Sequence, residues 1–149
     1  MAEILATLRE LAHICRDGER LYGQAAACMR SQRLREVADE VGASRAELYR
    51  EFAALPRAHG QRLCETGTLY GRLRRLYAGL RAGFADRDRI YVCELERVED
   101  RLLHAMERAT LHLQSEEEAR ELLRRHMPAA RATHERLRAL KRELTGSGP

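Results

Sequence analysis

Apolar residues recur at steps of three, four and seven along most of this chain, the spacing of one face of an α-helix. Ile4, Leu8, Leu11, Cys15, Tyr22, Ala26 and Met29 form a first stripe, whose missing step falls on Gly18 and Glu19. A second stripe runs Leu34, Val37, Val41, Leu48, Phe52 and Leu55, with Glu51 beside it. It precedes Pro56 and Gly60, which weaken or end the helix. From about 87 to 113 a third helix carries Val92, Leu103, Met106 and Leu113, flanked by Leu95, Val98 and Leu102, with Glu96 and Glu99 on the intervening steps. A fourth opens at Ser115, where Ser115, Glu116, Glu117 and Glu118 spell a capping box and the acids suit the helix dipole. Its stripe is Leu123, Met127, Ala130, His134, Leu137 and Lys141, widened by Leu122, Leu140 and Leu144 and kinked at Pro128. Between Gly60 and Asp86, the turn-prone Gly67 and Gly71 accompany a short pattern of Leu69, Leu73, Leu76, Tyr77 and Leu80. That stretch reads as a long connection with its own short helix.

Four long helices with one long connection in the middle predict an all-α, ferritin-like antiparallel four-helix bundle. A short extra helix sits in the crossover between the second and third long helices. The expected domain is residues 1–144, followed by a flexible tail over 145–149. Composition agrees: 149 residues fit one core, Trp is absent, there are only two Phe, and the apolar side chains are mostly Leu and Ala.

The formal charge is +4, but basic residues alternate with Asp and Glu along most of the chain, so the charge reads as a solvated helical surface. Nucleic acid and membrane are therefore not expected partners, while self-association through a leftover apolar helix face is. Cys15, Cys28, Cys64 and Cys93 are too widely separated for a zinc pair pattern and read as reduced thiols. No segment approaches the roughly 18–20 apolar residues of a membrane span, and the N-terminus lacks a basic lead before an apolar run. A cytoplasmic protein is expected. No nucleophile stands beside a base at readable spacing and no glycine loop would cradle phosphate, so the chain reads as non-catalytic.

Each long helix nevertheless sets an ionisable residue on or beside its apolar stripe: Glu19, Glu51, the pair Glu96 and Glu99, and His134. A buried carboxylate must be paired, protonated or metal-bound. Two readings follow. These residues form a polar network that fixes helix register, or they hold iron or manganese in a reduced metal site. A full di-iron or di-manganese carboxylate site needs Glu-x-x-His on two helices, and here Ala54 follows Glu51 by three while Arg131 precedes His134 by three.

The order and spacing of several pieces are similar to a known family. They are Asp17-Gly18-Glu19 with Tyr22; Glu51 with Gly60; Gly67-Thr68 with Gly71 and Arg75; Glu96-Arg97-x-Glu99-Asp100; and His134 before a basic, leucine-containing end. From about Leu5 to Leu144 the chain resembles an uncharacterised bacterial family of ferritin-like four-helix-bundle proteins known only as a domain of unknown function. Arg74, Tyr77 and Val98 depart from that family's pattern, which has histidine, tryptophan and glycine there. The Arg74 change replaces a ligand or proton carrier with a cation, which weakens any metal role that the resemblance implies.

A reading from another class rests on residues 37–52, VADEVGASRAELYREF, which resemble the helix-turn-helix of TetR-like repressors. Gly42 would supply the turn, and Ser44, Arg45 and Tyr49 would approach DNA. That reading requires the second helix to break at Gly42. The bundle reading instead accepts a glycine inside a helix, at about 1 kcal/mol relative to Ala.

Overall fold

The computed structural model describes residues 2–55, 68–81 and 86–146. These form five helices and no strand: α1 (Ala2–Cys28), α2 (Gln32–Ala53), α3 (Thr68–Arg81), α4 (Arg87–His112) and α5 (Glu117–Gly146). The expected helix ends at Pro56 and Gly60, the turn at Gly67, and Cys64 lie outside the described residues, as do residues 147–149 of the expected tail. No described helix is long and apolar enough to cross a membrane.

α1 and α2 are joined by a tight turn, and Ser31 caps α2 by accepting from the Leu34 N–H. Asp86 caps α4 in the same way through the Arg89 N–H. α5 begins later than the Ser115 capping box predicts. Ser115 lies in the preceding turn, and the Glu116 carbonyl accepts the first helical bond, from the Arg120 N–H. Gly71 does not turn the chain, since α3 runs through it, and Pro128 sits inside α5 without ending it.

α2 also runs without interruption through Gly42, which removes the turn that a helix-turn-helix needs. The reason is a close approach. A Cβ at Gly42 would stand 2.9 Å from Tyr22 Cβ, so the absent side chain lets α1 and α2 cross there. Arg45, assigned to DNA in that reading, is buried.

Side-chain pairs fix the helix directions. Along α1 and α4, Glu3 meets His112, Glu10 meets Arg108 and Tyr22 meets Glu99, so these two helices run antiparallel. α2 and α5 also run antiparallel, through Arg33 with Glu143, Glu40 with Arg136, and Glu51 with His126. α2 and α4 consequently run in the same direction. Their N-termini are tied together by Asp88, whose carboxylate accepts from the Arg30 N–H (2.6 Å) and the Ser31 N–H (3.0 Å).

The apolar interior falls into two clusters. One gathers Leu8, Leu11, Phe52, Met106, Leu113 and Leu123; the other gathers Leu21, Val37, Val41, Tyr91, Leu95 and Leu137. On every long helix one polar or missing side chain separates them: Gly18 on α1, Arg45 on α2, Glu99 on α4 and His134 on α5. The break in the first stripe is thus the edge of a polar layer that crosses the bundle.

Candidate functional site

The layer is built around Glu99. It occupies the step between Leu95 and Leu102 on the buried face of α4 and is 1% exposed. A carboxylate so removed from water needs every lone pair answered. Arg45 from α2 donates through Nε to Oε1 and through Nη2 to Oε2, both at 2.7 Å, a bidentate pair. The Tyr22 hydroxyl from α1 donates to Oε1 at 2.8 Å. Tyr22 is fully enclosed, and its hydroxyl is held neutral well above the usual phenol range, first by burial and then by the Glu99 charge. Burial works against the Arg45 charge, but the hydrogen bonds and attraction of Glu99 outweigh it and hold the guanidinium more firmly protonated than in water.

Beneath the pair lies the Cys15 thiol, whose pKa burial pushes up to about 12, with Arg45 partly opposing and Glu99 adding to the shift. It is an inert, protonated thiol and not a nucleophile. A Cβ at Gly18 would stand 3.5 Å from Val98 Cγ1 and 3.9 Å from Arg45 Cγ, ordinary contact distances, so the layer packs closely against α1 there.

On the α5 side the layer is looser. His134 Nε2 lies 3.2 Å from Asp100 Oδ1 and 3.5 Å from Glu96 Oε1, close enough for attraction once the ring is protonated, yet it makes no hydrogen bond. Lys141 Nζ stands 3.7 Å from Glu96 Oε2. The Asp100 and Lys141 side chains are close to half exposed and can turn to water, whereas His134 Nε2 is itself enclosed.

The five residues singled out in the sequence thus occupy four settings. Glu96 and His134 meet. Glu99 lies in the same layer, engaged by Arg45 and Tyr22. Glu19, at the rim of α1, pairs with Arg16 of its own helix at 3.1 Å. Glu51 sits far along α2, bound to His126 at 2.6 Å and Arg125 at 3.3 Å. Among the described residues no group of three or more His, Cys, Asp or Glu side chains is placed to hold a metal ion.

Sequence reasoning missed the two partners that complete Glu99. On the sequence Tyr22 reads as one more apolar stripe residue, and Arg45 enters only through the DNA-binding reading. The signal for Arg45 was the seven-residue gap between Val41 and Leu48, which position 45 fills at steps of four and three.

No curated protein and no solved structure matches this chain. A family model described as a domain of unknown function, DUF2383, matches residues 3–111, which takes in α1 to nearly the end of α4 and the whole Tyr22–Arg45–Glu99 triad. With almost three quarters of its length covered, α5 and His134 lying beyond the match, the chain belongs to the DUF2383 family.

Proposed function

We propose that this protein is a non-catalytic, ferritin-like four-helix bundle whose inward polar layer fixes the register of its helices, making it a rigid cytoplasmic scaffold for partners. The ferritin-like assignment is supported by direction: two antiparallel hairpins whose inner helices, α2 and α4, run the same way and need a long crossover between them. The observation that carries the structural role is the Arg45–Glu99 pair, both ends of which are almost without solvent contact. The Arg45 guanidinium already supplies the positive charge that Glu99 needs, and its fork occupies both Glu99 oxygens. The donors Glu19 and Glu51 are committed elsewhere. This set does not fit an iron or manganese centre built on all five residues, so no step is routed through a metal. The free thiols Cys15, Cys28 and Cys93 suit a reducing compartment.

The test joins metal content to coupling. Untagged protein purified without chelator, then offered iron and manganese, is expected to stay metal-free by mass spectrometry and unchanged in Tm. A double-mutant cycle on Arg45→Gln and Glu99→Gln is expected to give a coupling energy of at least about 1 kcal/mol. Near-stoichiometric iron or manganese that disappears in Glu99→Ala would overturn the structural reading in favour of a metal site.

A further inference from the structure

The chain's 27 Lys and Arg stand against 23 Asp and Glu, leaving +4. Residues 66–85 hold four arginines and no acid, so the remainder carries 23 of each sign. The alternation of charge read along the sequence therefore fails on the crossover helix α3, which carries four arginines and no acid.

α3 lays Leu73 and Leu76 against the apolar cluster of α1, α2 and α4. Its opposite side exposes Arg74, Arg75, Ala78 and Gly79, with open space around the Gly79 backbone and Tyr77 48% exposed at the border. Arg72 is shared with α4: it meets Glu94 at 2.7 Å, and the same carboxylate takes Arg97 at 3.1 Å, so one acid stands between two guanidinium groups. The result is a cationic surface with small residues at its centre and an aromatic ring at its edge.

We infer that this face of α3 binds single-stranded nucleic acid through its phosphates. Guanidinium forks match phosphate oxygens, the alanine and glycine let a sugar–phosphate backbone approach the helix closely, and Tyr77 offers a ring on which a base can stack. An anionic lipid surface is less well served. An interfacial helix turns its leucines toward the bilayer, whereas α3 has turned Leu73 and Leu76 toward the protein, and among its described side chains Tyr77 is the one large exposed ring. The surface needs no rearrangement of the fold, and it is separate from residues 37–52, whose Arg45 is buried.

Fluorescence anisotropy of a labelled oligothymidylate of about 20 nucleotides, titrated with the full chain at low salt, tests the inference. Saturable binding is expected. The logarithm of the binding constant should fall with the logarithm of salt concentration at a slope near −2, about 0.7 for each of the three arginines Arg72, Arg74 and Arg75. Arg74→Glu with Arg75→Glu, both exposed, should weaken binding at least about tenfold with helical content and Tm retained, and Tyr77→Ala should weaken it about fivefold. Unsaturable binding, or binding untouched by the charge reversal, would overturn the inference. So would co-sedimentation with phosphatidylglycerol vesicles without oligonucleotide binding, which would assign the surface to lipid.

Discussion

The two ends of the same polar layer obey different rules. At the centre of the bundle Glu99, Arg45 and Tyr22 satisfy one another with three short hydrogen bonds and almost no water. At the α4–α5 seam Glu96, Asp100, His134 and Lys141 stand at 3.2 to 3.7 Å, with one ring nitrogen lacking a hydrogen bond. Depth makes the difference. At the centre a charge has no water to turn to, so geometry must be tight; at the seam Asp100 and Lys141 can turn to water, and the enclosed His134 Nε2 is the atom left unanswered. Similar side-chain chemistry therefore matters more for stability at one end of the layer than at the other.

Substitution of the centre should separate the two most sharply. Glu99→Ala strands the Arg45 guanidinium in an apolar interior and is expected to cost about 3–5 kcal/mol in urea unfolding. Replacing both charges, Arg45→Met with Glu99→Met, should recover most of that loss, because a packed apolar pair needs no partner. A loss below about 1 kcal/mol for Glu99→Ala would erase the contrast between centre and seam.

Alkaline titration comes next. Cys15 ionises near 9.0 in the unfolded chain and at about 12 when buried, so its folded pKa is raised. Stability from this group is complete below pH 9 and is lost as pH climbs toward 12, reaching on the order of 2 kcal/mol by pH 10.5. The raised Tyr22 pKa adds a loss of the same sign above its usual value of 10.0. Thermal melts of Cys15→Ala should show a flatter decline between pH 9 and 10.5 than the parent; identical slopes would mean that the thiol does not remain buried and neutral.

Gly42→Ala should cost on the order of 1 kcal/mol: overpacking against Tyr22 Cβ, about 1–3 kcal/mol, exceeds the helix-propensity gain of about 1. A stabilised Gly42→Ala would show that α1 and α2 can separate freely at their crossing. Smallest of all, Glu96→Gln at the seam should move stability by less than about 1 kcal/mol, and added salt should shrink the effect further.

Much of the fold could be read from the sequence because long amphipathic helices advertise themselves. The stripes on α1, α2 and α5 match the buried residues closely, and the expected short helix between Gly60 and Asp86 is α3. The buried face of α4 runs through Leu102 and Ala109 and not through Leu103, which the spacing of Glu96 and Glu99 favours when both are placed on the stripe. Only Glu99 is buried; Glu96 lies toward α5. What could not be read was which charges meet. Tyr22 and Glu99 are 77 residues apart, Arg45 and Glu99 are 54 apart, and periodicity reports which face a residue takes but not who stands opposite. Ser115 was misplaced for a local reason, since the Glu116 carbonyl starts the helix one residue further on.

The triad draws Tyr22 and Arg45 from the first hairpin and Glu99 from the second. Two copies of the first hairpin packed together would bring arginine against arginine, and two copies of the second would bring glutamate against glutamate. Only the mixed pairing neutralises the interior. A single buried ion pair thus favours the union of one half of the molecule with the other over the union of two identical halves.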